Sequence, residues 1–252
     1  LAAAAAALYP PVCVNCRADV AAPGLLCPDC WAETPFLASP VCDRCGAPAP
    51  DDLPGAGDAP VCDQCLGVEF AFTRARAATL YSGVARGVAL KIKHADRADL
   101  AAPAAAWMAR IGAPLLADAD ALVPIPLHPL RFLARRGNQS AELARRLARL
   151  TGVPHAPNLL LRRRRTPSQG GLDAEARRAN LAGAFAVPRR TGTRVEGARL
   201  ILIDDVMTTG ATLSEAAAAL RAAGAARVEA LVLARVAGER PATICSAEEE
   251  AA

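Results

Sequence analysis

The sequence predicts a parallel α/β sheet preceded by a small cysteine-rich domain. Three observations carry this reading. Eight of the nine cysteines fall within the first 65 residues. From Phe70 onward cysteine all but vanishes, and short apolar strand patterns alternate with helical ones. The most apolar strand, residues 199–203, runs into Asp204-Asp205 and a loop of threonines and glycine that opens a helix. A chain of 252 residues holds one large domain or two unequal ones at about 100–200 residues each. With 53% hydrophobic and 21% charged residues it can build a core, which excludes wholesale disorder. Much of the apolar fraction is alanine, which favours helices and a core of low side-chain volume. Of 29 basic residues only Lys91 and Lys93 are lysine, a coding bias rather than a functional sign. No stretch reaches the roughly 20 uninterrupted apolar residues of a membrane helix, so no membrane insertion is expected. Residues 1–8 are apolar, have no basic residue ahead of them and do not read as a secretory signal. A cytoplasmic protein is the expectation.

Eight cysteines form four Cys-x-x-Cys pairs: Cys13/Cys16, Cys27/Cys30, Cys42/Cys45 and Cys62/Cys65. Two thiolates spaced by two residues grip one tetrahedral Zn2+ from a tight knuckle, and a second pair closes the site. Sequential pairing gives two zinc ribbons; a crossed arrangement, pairs one and three against two and four, is the rival. A disulfide framework needs an oxidising compartment that nothing in the chain specifies, and a thioredoxin-like redox pair explains one Cys-x-x-Cys, not four. Four thiolates leave no coordination position open, so the zinc is expected to be structural. A 65-residue stretch rich in proline and glycine needs such staples to fold. Cys245 stands apart in a polar tail and reads as a free thiol.

The second part reads in order as a strand at 77–81, a helix at 84–94, an alanine-rich helix at 100–116 and a buried strand at 121–125. A helix follows at 140–150, with Leu143, Leu147 and Leu150 on one face. A strand at 184–187, the strand at 199–203, a helix at 212–223 with Gly224 as its cap, and a strand at 228–233 complete the series. We place domain boundaries at 1–69, 70–238 and 239–252, the last a disordered tail.

The most informative string is Leu200-Ile201-Leu202-Ile203-Asp204-Asp205-Val206-Met207-Thr208-Thr209-Gly210-Ala211-Thr212. In an open α/β sheet, ligands gather at the carboxyl ends of the strands. The loop aims backbone N–H groups, threonine hydroxyls and a helix N-terminus at one point, an arrangement suited to a phosphate monoester. Gly210 permits close backbone approach. The two carboxylates repel phosphate and suit adjacent diol hydroxyls, with Mg2+ nearby. A phosphate at one end and a diol at the other describe a ribose 5-phosphate. The bland alternative is a capped helix after a strand with solvent-exposed acids.

This string is similar to the PRPP-binding signature of type I phosphoribosyltransferases. Joined to four N-terminal Cys-x-x-Cys pairs, it resembles the ComF family, competence-protein-F-like proteins linked to bacterial DNA uptake. The family's double zinc ribbon is matched by Cys27-Pro28-Asp29-Cys30-Trp31 and Cys42-Asp43-Arg44-Cys45-Gly46. Its Pro-x-Pro-Leu-His segment is matched by Val123-Pro124-Ile125-Pro126-Leu127-His128. The loop before the signature is matched by Thr166, Gln169 and Leu172 and by Arg177-x-x-Asn180-Leu181-x-Gly183-Ala184-Phe185. One departure stands out: Arg136-Gly137-Asn138-Gln139 lacks the aromatic that the family places between Gly and Asn. The resemblance implies a phosphoribosyltransferase-like parallel sheet with helices on both faces. It implies that Asp204 and Asp205 hold the ribose hydroxyls, and that Thr208, Thr209, Gly210, Ala211 and Thr212 cradle the 5′-phosphate. Pro126, Leu127 and His128 would form the pyrophosphate loop, and residues 162–180 a flap carrying Arg164 and Arg177. The implied chemistry is displacement of pyrophosphate at C1′ with Mg2+ and arginines neutralising the leaving group.

Between Arg131 and Arg199 lie sixteen arginines and four acids, Glu142, Asp173, Glu175 and Glu196; the whole chain is only +4. This excess fits a polyanion such as single-stranded DNA, although Phe132 and Phe185 are the only aromatics there for base stacking and some arginines lie on the solvated face of the 140–150 helix. Three classes stay open. They are a phosphoribosyl-transferring enzyme, a DNA-uptake factor keeping the phosphoribose pocket as a ligand site, and a zinc-ribbon adaptor docking on a DNA-import helicase.

Overall fold

The computed structural model describes residues 10–49, 60–93, 98–127, 137–164 and 180–236. Its elements are α1 (Pro28–Ala32), β1 (Ala75–Leu80), α2 (Gly83–Lys93), α3 (Ala101–Leu116), β2 (Ala121–Pro124) and α4 (Gln139–Thr151). They continue with β3 (Leu161–Arg162), β4 (Phe185–Ala186), β5 (Arg199–Met207), α5 (Ala211–Ala222) and β6 (Arg227–Arg235). The main sheet has the order β1-β6-β5-β2, and every neighbouring pair is parallel. β3 and β4 form a separate antiparallel pair.

The central strands are buried on both faces, as a parallel sheet requires. Leu200 and Leu202 enter one core, Ile201 and Ile203 the other. On the first face lie α2, α3 and α4, joined by Cys13, Cys27 and Cys30. On the second face lie α5 and Phe185 of β4, joined by Cys42, Cys45 and Cys65. Helices therefore cover both faces, and each cysteine group contributes to a different core.

The N-terminal segment also seals the sheet's open side. Phe36 bridges Thr79 antiparallel, Leu37 N–H donates to the Ala78 carbonyl and Leu80 N–H to that of Pro35. At the opposite edge Leu122 N–H donates to Pro154 and its carbonyl accepts from Ala156. Backbone groups that would otherwise template aggregation are thus paired.

Two elements differ from the sequence reading. β5 continues four residues beyond Ile203, through both acids to Met207, because β6 also runs on to Arg235 and keeps the ladder intact. On α4 the buried stripe ends at Leu147; Leu150, in the last turn before the left-handed Gly152, is 58% exposed. β3, in an arginine-rich stretch without alternation, was not expected. The expected disordered tail lies outside the described residues. No helix among the described residues is long and apolar enough to cross a membrane.

Candidate functional site

The sheet's topology opens a crevice between β2 and β5. The chain leaves β2 toward α4 on one face and leaves β5 toward α5 on the other, which makes their carboxyl ends a switch point. β2 pairs with β5 only as far as Pro124 opposite Ile203. Asp204 and Asp205 therefore overrun β2 and remain in the ladder with β6 alone, Asp204 opposite Val232.

The first turn of α4 reaches this notch. Asn138 caps the helix, its Oδ1 accepting from Ser140 and Ala141 N–H, while its amide donates to the Ile125 carbonyl at 3.0 Å. Gln139 donates to the Lys93 carbonyl. Ser140 Oγ then donates to Asp204 Oδ1 at 2.7 Å, and Asp205 N–H to the same oxygen at 3.0 Å. Burial first, and the neighbouring Asp205 charge second, push the Asp204 carboxyl up to about 8. Asp205 turns its Oδ1 to the Val206 N–H at 2.8 Å.

The loop that follows is shaped by Gly210, at φ 79° and ψ 0°, the cap residue of α5. A Cβ here would meet Met207 Cε at 2.8 Å and Phe70 Cε1 at 3.0 Å, so the position needs glycine for conformation and for space. The cap residue Gly210 has no side chain to accept from the α5 N-terminus, and Ala211 N–H donates to Thr209 Oγ1 at 3.4 Å. First-turn N–H groups thus remain open to an anion. Thr208 is exposed, Thr209 and Thr212 half-buried, Ala211 buried. The Thr208 carbonyl accepts from Arg235 Nη1 at 2.9 Å.

Pro126 and Leu127 lie half-buried beyond β2, on the same end of the sheet; His128 falls outside the described residues, as do Arg177 and the flap from 165 to 179. Arg164 is exposed, and its Nη2 donates to the Asn180 and Ala182 carbonyls at 2.8 and 3.0 Å. Together with the β3–β4 pair and the Gly183 N–H bond to Glu215 Oε1 at 2.7 Å, it ties together the two segments that flank residues 165–179. A cavity of about 240 Å³ lined by Arg44, Glu69, Phe70, Phe72 and Thr73 contains none of the predicted site residues. Sequence reasoning missed Ser140, Glu215 and Arg235. Arg235 left a signal, a charge directly after the apolar run at residues 230–234.

The cysteines gather sequentially: Cys13, Cys16, Cys27 and Cys30 in one group, Cys42, Cys45, Cys62 and Cys65 in the other. The crossed arrangement is not formed. Within each group all sulfurs lie within 4.8 Å of one another, with Cys16–Cys27 at 3.6 Å and Cys45–Cys62 at 3.7 Å. A tetrahedral ion with Zn–S bonds of about 2.3 Å sets its sulfurs about 3.8 Å apart, so both groups fit zinc. Backbone N–H groups of Cys27 and Cys62 point at the sulfurs of Cys13 and Cys42, each at 3.3 Å, supporting thiolate charge.

Comparison with known proteins finds two matching families. The double zinc ribbon domain family matches residues 4–66, and the phosphoribosyl transferase domain family matches residues 138–244. The DNA utilization protein YhgH of Salmonella typhi is 32% identical over 203 residues, covering 77% of this chain and 84% of that protein. Competence protein F of Haemophilus influenzae is 36% identical over 116 residues, 46% of this chain and 50% of that protein. Among solved structures, the glutamine PRPP amidotransferase of B. subtilis, complexed with ADP and GMP, aligns at 21% identity over 56% of this chain and 30% of that one, with a TM-score of 0.35.

Proposed function

The chain belongs to the ComF family, and from that premise we propose that its α/β part binds PRPP or ribose 5-phosphate together with Mg2+. One observation carries the reading: two acids overrun the edge of β2 and are followed at once by an open helix N-terminus shaped by Gly210. Asp204 and Asp205 take the ribose hydroxyls and, through Mg2+, the pyrophosphate. Thr208, Thr209, Gly210, Ala211 and Thr212 take the 5′-phosphate, and Pro126, Leu127 and His128 face the pyrophosphate. Arg177 serves the closed flap, whereas Arg164 serves its stem. Bound Mg2+ supplies charge neutralisation for a departing pyrophosphate.

We take the activity to be pentosyl transfer to an acceptor base, linked to DNA utilization in the cytoplasm. Thermal shift with PRPP or ribose 5-phosphate plus Mg2+ tests the pocket. Stabilisation that disappears in the double variant Asp204→Asn, Asp205→Asn supports it, and no stabilisation of the unaltered protein rejects it. Pyrophosphate release tests turnover. Our domain boundaries at 69/70 and 238/239 are tested by limited proteolysis.

Exposed arginines favour a second reading, a non-catalytic single-stranded-DNA-binding or adaptor protein that docks on an import helicase. Arg163, Arg189, Arg190 and Arg194 are exposed on the β3–β4 side. Arg145 and Arg146, by contrast, both engage Glu142 and are less available to a polyanion. Strand binding that weakens steeply with salt and with loss of the exposed arginines is what this reading requires.

A further inference from the structure

We propose that Arg235 is a positioning residue for the loop at 208–212: by holding the Thr208 carbonyl it turns the Thr209 N–H toward a bound phosphate. The assignment deepens the phosphoribose reading and rests on it for the identity of the ligand.

Arg235 is the last residue of β6 and stands opposite Met207, the last of β5. Its backbone is fixed on both sides. The Arg235 carbonyl accepts from Tyr81 N–H at 2.7 Å, and Val236 N–H donates to the Met207 carbonyl at 2.9 Å. There the ladder ends. The next carbonyl, that of Thr208, is held by a side chain instead, Arg235 Nη1 donating to it at 2.9 Å. A guanidinium is costly to bury, yet Arg235 is only 5% exposed. Its Nε has no hydrogen-bond partner among the described residues, so the Thr208 carbonyl is the acceptor around which this buried group is arranged.

A carbonyl so held fixes its whole peptide. The Thr208–Thr209 bond is trans, and in a planar trans peptide the N–H points opposite to the C=O. With the Thr208 oxygen drawn to Arg235, the Thr209 N–H faces away from it, and among the described residues that N–H has no acceptor. The charged donor also polarises the peptide, which makes the N–H a stronger donor in turn. The far end of the loop is held independently. Ser214 N–H donates to the Gly210 carbonyl at 2.8 Å, and Ala71 N–H to Ser214 Oγ at 3.0 Å. Both ends of the loop are thus tied to the protein, and the Thr209 N–H between them is left to an anion at the α5 N-terminus.

The test is calorimetric binding of ribose 5-phosphate, and separately of pyrophosphate with Mg2+, to the full chain in the unaltered protein, Arg235→Met and Arg235→Lys. Arg235→Met should bind ribose 5-phosphate about tenfold or more weakly, as expected for loss of a hydrogen bond from a charged group. Pyrophosphate with Mg2+, which the reading assigns to the acids and residues 126–128, should bind unchanged. Arg235→Lys, which keeps a charged donor, should recover most of the affinity. Amide spectra of isotope-labelled protein follow the peptide directly: ribose 5-phosphate should move the Thr209 amide proton downfield in the unaltered protein and not in Arg235→Met. A folded Arg235→Met variant that binds ribose 5-phosphate as tightly as the unaltered protein overturns the proposal and leaves the phosphoribose reading standing. Equal weakening of both ligands with no recovery in Arg235→Lys marks a merely structural role and overturns it too. If Arg235→Met does not fold, the unaltered protein decides: a downfield shift of the Thr209 amide supports the proposal, and bound ribose 5-phosphate with that amide unmoved overturns it. If the unaltered protein binds no ribose 5-phosphate, the phosphoribose reading falls and inorganic phosphate becomes the probe. A Thr209 shift with phosphate that is lost in Arg235→Met then upholds the positioning role, and its absence overturns it.

Discussion

In the first ribbon the knuckle from Cys13 to Cys16 closes with Arg17 at φ 69°; in the second, Cys42 to Cys45 closes with Gly46, also at φ 69°. Cys13 N–H donates to Ala18 and Cys42 N–H to Ala47, both at 2.7 Å. Val12 bridges Asp19 as Val41 bridges Pro48. The two modules share a backbone and differ in what surrounds it. Cys16 is exposed, while Cys13, Cys27 and Cys30 are buried in the core of the first face, to which side chains also fasten the ribbon. Trp31 and Phe36 lie 4.5 Å apart, Phe36 sets its ring edge-on to Trp107 of α3, and Lys91 of α2 reaches the Asn15 carbonyl at 2.8 Å. Cys42 and Cys45 are fully buried, and the second ribbon is a wall of the core beneath the loop. One zinc-binding turn thus packs into the core of the first face in one case and into the core beneath the loop in the other. Each face of the sheet also brings one half of the candidate site. The first brings Ser140 to the acids, the second Phe70 to the loop.

The largest difference should appear when the metal centres are removed one at a time. Loss of a structural metal belongs among the rare changes costing about 4 kcal/mol or more. Cys45→Ser is expected to lose one zinc by metal analysis, unfold at much lower denaturant and lose ribose 5-phosphate stabilisation entirely. Cys16→Ser should also lose one zinc, yet keep ligand stabilisation, since Cys16 is exposed and its group packs on the face of the sheet away from the loop. Equal loss of ligand stabilisation in both variants breaks the contrast.

Next in size is Gly46→Ala. A Cβ at Gly46 would sit 2.9 Å from the Ala75 carbonyl oxygen and 3.1 Å from Arg76 Cα, both β1 backbone. The left-handed conformation costs a non-glycine residue about 1–2 kcal/mol, and displacement of β1 adds to it. A loss of about 2–3 kcal/mol in chemical denaturation is expected.

The acids give a smaller, pH-dependent effect on the other face. Asp204 has a carboxyl raised to about 8 in the fold against an unfolded value near 4. Between those values the native state holds a proton that the unfolded chain has released. Asp204 therefore favours the fold fully below about pH 4 and ever less as pH rises to about 8. Asp204→Asn should flatten that decline. Ser140→Ala removes a donor to the ionised form, so it should move the titration upward and cost about 1 kcal/mol above pH 8. Carboxyl carbon chemical shifts during a pH titration follow the group directly; no upward movement shows that Ser140 does not hold the acid.

The parallel sheet, the helices and both cysteine groups were legible because each rests on local periodicity or fixed spacing. The Asp-Asp-x-x-Thr-Thr-Gly string is likewise one contiguous run whose loop and helix start follow from its own residues. What stayed hidden depends on distant partners. Ser140 lies 64 positions from Asp204, and nothing in its neighbours announces that contact. Arg164 reads as a lid cation by position, yet its guanidinium is taken by the Asn180 and Ala182 carbonyls, which meet it only once β3 pairs with β4. The two ribbons look interchangeable in sequence, because spacing fixes the ion's shell and says nothing of what packs outside it.

The knuckle residues allow the contrast between ribbons to be isolated from backbone conformation. Arg17→Gly relieves a left-handed non-glycine residue, worth about 1 kcal/mol, but gives the unfolded chain freedom worth a comparable amount. A net change below about 0.5 kcal/mol is expected at this exposed position. The reverse change, Gly46→Arg, carries the same two conformational contributions with opposite signs, because both residues sit at φ 69°. Those contributions cancel when the two shifts are added, and the remainder is the contact of the second knuckle with the Ala75 and Arg76 backbone. A sum near zero in paired denaturation curves would mean that the second ribbon rests on the sheet as loosely as the first.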